Sequence, residues 1–144
     1  MQNNKLILLV EDSDDDYYAT IRALKKDGNL QNPIKRCEDG QEALDYLNTP
    51  WSEDHLQPGI ILLDLNLPGI DGRAVLKQIK GTARLTKIPV IVLTTSNDYK
   101  DIEACYELGA NTYIQKPVKL ASFFNAIQKL KEYWLQVALL PRDS

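Results

Sequence analysis

Two short runs of this sequence are apolar at every central position, and they constrain the fold more than any other feature. They lie in "PGIILLD" (Pro58–Asp64) and "PVIVLTT" (Pro89–Thr95). A strand with one wet face alternates apolar and polar residues, whereas a parallel strand that helices cover on both sides does not. Both runs are far shorter than the roughly 20 residues of a membrane-spanning helix. They therefore predict central strands of a parallel sheet.

Three further segments complete the predicted strands. "KLILLV" (Lys5–Val10) and "NTYIQK" (Asn111–Lys116) are rich in residues that favour strands, and "PIKRCED" (Pro33–Asp39) alternates weakly. A helical pattern follows each strand, over Ser13–Lys26, Asp39–Asn48, Ile70–Lys80, Asn97–Leu108 and Leu120–Val137. Five strand–helix pairs predict an α/β fold of the (βα)5 type, with helices on both faces of a parallel sheet and right-handed crossovers.

Helix ends can be assigned from individual residues. Ser13 is a predicted N-cap, and Asp14–Asp16 are expected to form a solvated first turn that suits the helix dipole. Gly109 is predicted to end the fourth helix in a left-handed conformation. Asp71, in "PGIDG", is interpreted as a turn residue or helix cap rather than a metal ligand.

Polar residues follow the predicted strands at their carboxyl ends. Glu11 and Asp12 follow the first strand, Asp64 ends the third, Thr94 lies at the end of the fourth and Lys116 at the end of the fifth. In open parallel sheets, ligands bind beyond the carboxyl ends of the strands. We therefore expect three carboxylates, a hydroxyl and an ammonium to lie close together at one edge of the sheet.

The expected cluster fits phosphoryl chemistry on a metal site. Neighbouring carboxylates raise one another's pKa unless a positive charge offsets them, and Mg²⁺ prefers oxygen ligands together with phosphate oxygens. Lys116 and Thr94 can share a phosphoryl group's negative charge and hydrogen bonds. A carboxylate such as Asp64 can itself be the nucleophile and form an aspartyl phosphate.

These motifs together resemble the receiver domain of two-component response regulators. The matching residues, Glu11-Asp12, Asp64, Thr94 and Lys116-Pro117, occur in order over almost the whole chain. The resemblance implies a flavodoxin-like fold with a five-stranded parallel sheet in the order 2-1-3-4-5, and a single receiver domain over residues 1–144. It also implies that Asp64 accepts a phosphoryl group from a phosphohistidine on a histidine kinase.

The same resemblance implies a ligand set for the metal. Asp12, Asp64 and the backbone carbonyl of Asn66 would bind Mg²⁺, with Mn²⁺ as a substitute, and Glu11 would contribute through a water molecule. The chain would catalyse only its own phosphorylation and dephosphorylation, so we expect a signalling protein rather than an enzyme.

The resemblance further implies a switch. Thr94 and Tyr113 match the pair in which the hydroxyl moves toward the phosphoryl group and the aromatic ring turns inward. Lys116 matches the phosphate-binding lysine of the family. The bond between Lys116 and Pro117 is often cis in that family.

A narrower resemblance concerns the small stand-alone response regulators that are paired with cyanobacterial phytochromes. It is carried by "LLDLNLPGIDGR", "IPVIVLTTS" and "EYWLQVALLP". It implies a light-sensing histidine kinase as the partner, and a homodimer through the face of the fourth helix, fifth strand and fifth helix. The tail over residues 133–144 includes Tyr133–Pro141, which is more apolar than the sheet requires, so we expect a subunit contact there.

Charge and composition exclude several other classes. The net charge is −3 and no lysine or arginine stripe occurs, so nucleic acid is not expected as a partner. No signal peptide or membrane span is visible. Cys37 and Cys105 are interpreted as buried or half-buried thiols in a reducing cytoplasm. His55 is the only histidine, which argues against a histidine-based triad or a zinc site.

Two alternatives remain. One is a pseudo-receiver that binds partners without being phosphorylated. The other is a Mg²⁺-dependent phosphatase with an aspartate nucleophile, resembling the haloacid dehalogenase family. That family requires a DxD pair after its first strand, and here the acids at that place are the adjacent Glu11 and Asp12.

Overall fold

One sheet of parallel strands, in the order β2-β1-β3-β4-β5, organises the computed structural model, which describes residues 5–28 and 30–142. Its strands are β1 (Leu6–Val10), β2 (Ile34–Cys37), β3 (Pro58–Leu63), β4 (Val90–Thr94) and β5 (Thr112–Gln115). The helices between and after them are α1 (Asp14–Leu24), α2 (Gly40–Asn48), α3 (Gly72–Gly81), α4 (Tyr99–Glu107) and α5 (Leu120–Lys131). The predicted fold class and strand order are confirmed.

The three central strands are buried along their whole length. Every residue of β1, β3 and β4 is buried, whereas the edge strands β2 and β5 are partly exposed. Successive side chains point to opposite faces of the sheet. Leu8 and Ile61 therefore pack with α2 and α3 on one face, while Leu9 and Leu62 pack toward α1 and α5 on the other. Each such buried side chain stabilises the fold by about 1.5–3 kcal/mol.

The register brings the carboxyl ends of the strands to one edge. Val10 lies beside Cys37 of β2 and Leu63 of β3, and Leu63 lies beside Val92 of β4. The residues that follow these positions leave the sheet together. This alignment places the polar strand-end residues of the sequence at a single edge.

The helix ends largely follow the sequence signals. The Ser13 side chain accepts a hydrogen bond from the backbone N–H of Asp16 (3.2 Å), as expected of an N-cap. Gly109 has φ of +104°, the left-handed conformation that glycine adopts without a steric penalty. The bond between Lys116 and Pro117 is trans, so the cis bond that is frequent in the resembling family is not found here.

The last helix reaches Val137 as predicted, although its geometry changes before that end. The α-helix ends at Lys131, and Glu132–Val137 form a π-helical turn. In a π-helix each N–H bonds the carbonyl five residues before it, so the turn is wider than in an α-helix. Leu130 before this turn and Leu135 within it are buried in the same cluster on the sheet. Through Leu135 this turn is packed against the core.

None of the helices within the described ranges has the length and hydrophobicity that a bilayer crossing requires.

Candidate functional site

Three carboxylates meet at the carboxyl edge of the sheet. One oxygen each from Glu11, Asp12 and Asp64 lies within 4.8 Å of the others. Glu11 and Asp64 are buried, with 2% and 7% of their surfaces exposed, whereas Asp12 faces solvent. Two buried carboxylates and one accessible carboxylate suit a hard divalent cation that keeps some of its water ligands.

The loop after β3 is held in place by its contact with the start of α3. The Gly72 N–H donates to the carbonyl of Leu65 (3.0 Å), and a Cβ at Gly72 would lie 2.4 Å from the carbonyl oxygen of Asp64. Only glycine allows this approach. Asp71 caps α3 by accepting from the N–H of Arg73 (2.7 Å), as the sequence predicts. The backbone that carries Asp64 therefore cannot shift without moving α3.

Lys116 lies at the centre of the acidic group. Its ammonium donates to Glu11 (2.5 Å), Asp16 (2.9 Å) and Asp64 (3.0 Å), and the residue is 4% exposed. Burial alone would lower the pKa of Lys116, but the hydrogen bond and charge of Glu11, with the charge of Asp64, raise it above its ordinary value. Lys116 therefore stays protonated and supplies a fixed positive charge beside Asp64.

Glu11 is a buried carboxylate whose ionised form is disfavoured by its surroundings. Burial raises the pKa of Glu11 from 4.5 to about 7; Lys116 opposes this rise, and the charge of Asp64 adds to it. A divalent cation bound beside Glu11 would stabilise the ionised form of this carboxyl and so lower its pKa. The donor set and its electrostatics therefore fit a divalent metal ion.

Both oxygens of Asp64 are oriented by hydrogen bonds. Oδ2 accepts from Lys116, and Oδ1 accepts from the backbone N–H of Asn66 (3.1 Å). The side chain of Asn66 donates to the hydroxyl oxygen of Thr94 (3.3 Å), which is fully buried at the end of β4. The structure thus brings Asn66 and Thr94 to Asp64, while the role of the Asn66 carbonyl as a ligand stays a prediction.

Asp16 departs from the expectation of a solvated helix start. Its carboxylate pairs with Lys116, although Asp14 and Asp15 are exposed as expected. A signal for this was present, because Asp16 lies four residues before Thr20, and Thr20 is on the buried face of α1.

Arg36 is a second residue that the sequence reasoning missed. It donates to the backbone carbonyls of Glu11 (3.1 Å) and Asp12 (3.3 Å), and it pairs with Asp14 (2.8 Å). Its guanidinium also lies over the ring of Tyr17, 4.4 Å from the ring centre. Arg36 comes from the end of β2, which neighbours β1 in the sheet. It therefore fixes the backbone from which the acidic side chains project.

The predicted switch residue Tyr113 belongs to a network at the start of α4. Its hydroxyl donates to the carbonyl of Ser96 (2.9 Å), and the Ser96 hydroxyl donates to Asp101 (2.7 Å). Asp101 also pairs with Arg73 of α3. The loop that follows Thr94 is thus linked to α3, α4 and β5 through side chains that the sequence reasoning did not connect.

Comparison with known proteins gives consistent matches over most of the chain. Residues 7–128 match the family described as the response regulator receiver domain. Response regulator Rcp1 of Synechocystis sp. is 40% identical over 138 residues, which cover 95% of this chain and 93% of that protein.

Two solved structures are similar over nearly their full length. The phosphorylated cyanobacterial phytochrome response regulator RcpA is 39% identical with a TM-score of 0.90, covering 96% of this chain and 99% of that one. The Mn²⁺-bound form of Rcp1 is 40% identical with a TM-score of 0.89 and the same coverage.

Proposed function

Because the chain belongs to the response regulator receiver domain family, and is similar over its length to stand-alone phytochrome response regulators, we propose that it accepts a phosphoryl group on Asp64. The observation that carries this proposal is the environment of Asp64. Its carboxylate is buried, is bonded by Lys116 at one oxygen and by the Asn66 N–H at the other, and lies beside two more carboxylates. The Asp64 carboxylate is therefore oriented for attack on phosphorus, and the Lys116 ammonium lies beside it.

The donor is a phosphohistidine of a histidine kinase. An oxygen of Asp64 forms a bond to phosphorus while the bond between phosphorus and the imidazole nitrogen breaks, and the electron pair stays on that nitrogen. Lys116 neutralises negative charge on the phosphoryl oxygens. Loss of the phosphoryl group by hydrolysis restores the free carboxylate.

Mg²⁺, or Mn²⁺ in its place, would be held by Asp12, Asp64 and the Asn66 carbonyl, with Glu11 acting through water. When bound, the ion would lower the repulsion between the carboxylates and the phosphoryl oxygens. The three-carboxylate cluster supports this assignment. The Mn²⁺-bound form of the similar protein Rcp1 supports it as well.

Phosphorylation would be read out through Thr94 and Tyr113. A phosphoryl group adds charge and strong hydrogen-bond acceptors next to Thr94. Movement of the Thr94 hydroxyl toward it would release the Asn66 side chain and shift the loop that carries Ser96. Because Ser96 bonds both Tyr113 and Asp101, that shift would change the packing of α4 on β5.

The kinase is proposed to be a phytochrome-type light sensor, because similar proteins carry phytochrome in their names. Its docking place would be the groove of about 360 Å³ between α1 and the segment after β5, beside Lys116. Apolar Val118 and Phe123 line this groove together with Pro117. We place this exchange in the cytoplasm, in keeping with the free and buried thiols of Cys37 and Cys105.

The active unit is proposed to be one receiver domain over residues 1–144, of which residues 1–4, 29, 143 and 144 lie outside the described part. The similarity spans 93% of Rcp1 and 99% of RcpA, so it covers nearly all of each of these proteins. Output would pass through protein contacts rather than through nucleic acid.

A homodimer through α4, β5 and α5 would provide such a contact. Tyr99 and Tyr106 expose their rings on α4, and the Tyr106 hydroxyl accepts from the N–H of Tyr113 on β5. In the tail, Val137 and Leu139 are exposed while Leu135 is buried. Exposed apolar side chains on these elements favour a subunit contact.

Phosphorylation can be tested by intact mass spectrometry after incubation with acetyl phosphate, with and without Mg²⁺. We expect one added phosphoryl group on the wild type in Mg²⁺ and none on Asp64→Asn. Asp54→Asn makes the same chemical change on an exposed loop and should behave as the wild type. Equal labelling of Asp64→Asn and the wild type would contradict the site. A wild type that binds Mg²⁺ but is never labelled would favour the pseudo-receiver alternative.

A further inference from the structure

Lys116 has as many carboxylate partners as it has hydrogen atoms to donate. An ammonium group carries three N–H donors, and here they meet Glu11, Asp16 and Asp64. Glu11 and Asp64 project from the ends of β1 and β3. Asp16 comes instead from the first turn of α1, and it is not part of the three-carboxylate group that suits a metal ion.

The three partners differ in their access to water. The Glu11 side chain is 3% exposed and that of Asp64 8%, whereas that of Asp16 is 42% exposed. A phosphoryl group that arrives at Asp64 needs a hydrogen bond from Lys116, but all three N–H donors of Lys116 already bond to carboxylates. Glu11 cannot turn toward solvent, but Asp16 can be hydrated when it releases the ammonium. Asp16 is therefore the partner that can give way.

We propose that Asp16 is a positioning residue that competes with the incoming phosphoryl group for Lys116, and that its charge slows phosphorylation of Asp64 by anionic donors. This inference rests on the proposed function of Asp64. Asp16 would hold the ammonium in place between reactions and would yield it during transfer. It would also set a preference for donors of low negative charge.

The expected size of the effect follows from Coulomb's law. Two like charges several ångströms apart at a wet surface repel enough to change a rate roughly threefold for each unit of donor charge. Asp16→Asn removes this charge but keeps an amide oxygen that can accept from Lys116. We therefore expect about tenfold faster labelling by dianionic acetyl phosphate, and about threefold by monoanionic phosphoramidate.

The experiment compares labelling rates of four proteins with both donors in Mg²⁺, read by intact mass. In each reaction the Asp64 oxygen–phosphorus bond forms as the donor's phosphorus–oxygen or phosphorus–nitrogen bond breaks, and acetate or ammonia leaves. Asp15→Asn is the matched control, because Asp15 precedes Asp16 in the same turn, is exposed and makes no ion pair with Lys116 among the described residues. Asp16→Glu keeps the charge and should stay within about twofold of the wild type.

A second readout separates competition from a metal effect. Asp16→Asn removes a negative charge near the metal cluster and should weaken Mg²⁺ binding by calorimetry, so the labelling rates are compared at saturating Mg²⁺, where only competition for Lys116 predicts faster labelling. Rates for Asp16→Asn that match those of Asp15→Asn, or that rise equally with both donors, would overturn the inference and leave the proposed function intact. Absence of labelling on the wild type would overturn the proposed function, and the inference with it.

Discussion

Replacing Glu11 with glutamine should stabilise the metal-free protein at alkaline pH. Glu11 lies in the core of the site, and burial raises its pKa from 4.5 to about 7 in spite of the hydrogen bond from Lys116. Ionised Glu11 is therefore less favourable in the folded protein than in the unfolded chain. Glutamine has the shape of the protonated acid and cannot ionise, so it removes this cost.

The magnitude follows from the linkage between protonation and folding. A group whose pKa is raised by folding contributes stability fully below its unfolded value and loses it as pH rises through its folded value. The gap between 4.5 and about 7 corresponds to a loss of about 3 kcal/mol from the free energy of unfolding once Glu11 is fully ionised. Most of this loss, about 2–3 kcal/mol, falls between about pH 5 and about pH 8.

Urea unfolding in the presence of a chelator, followed by tryptophan fluorescence, measures this effect. The stability difference between Glu11→Gln and the wild type should grow by about 2–3 kcal/mol over that pH range. Glu53→Gln makes the same change on an exposed loop residue and should show no such growth. A difference for Glu11→Gln that is equal at both ends of the range would refute the reasoning. Adding Mg²⁺ at the alkaline end should then stabilise the wild type more than the variant.

Three further predictions concern the switch and the dimer. Lys116→Ala should still bind Mg²⁺ by calorimetry, but phosphorylation should no longer change hydrogen exchange in α4. A change in exchange as large as that of the wild type would argue against a switching role for Lys116. Asp101→Asn removes the pair with Arg73 and should cost about 0.5–1 kcal/mol in urea unfolding while speeding exchange in α4; equal exchange would show that the pair does not restrain the helix. Leu139→Glu, at a residue 92% exposed, should leave stability within about 0.5 kcal/mol but weaken self-association in sedimentation, and an unaltered dimer would exclude the tail from the interface.

The sequence by itself carried the architecture and most of the site. The all-apolar runs of β3 and β4 required burial on both faces, and this requirement leads to a parallel sheet covered by helices. In such a sheet the residues after each strand end must share one edge, so Glu11, Asp64 and Lys116 could be grouped from their order alone. These inferences succeed because they depend on side-chain period and strand direction, which are local properties of the chain.

The tertiary structure decided which charges actually meet. Asp14, Asp15 and Asp16 look alike in sequence, yet only the rotation of α1 on the sheet turns Asp16 toward Lys116. The link between Arg73 and Asp101 likewise depends on how α3 and α4 pack, over a separation of 28 residues. The π-helical turn after Lys131 has no local sequence signal either; Leu130 before it and Leu135 within it are buried in one cluster on the sheet. Long-range pairing and packing set these features, and no local pattern encodes the distance between two helices.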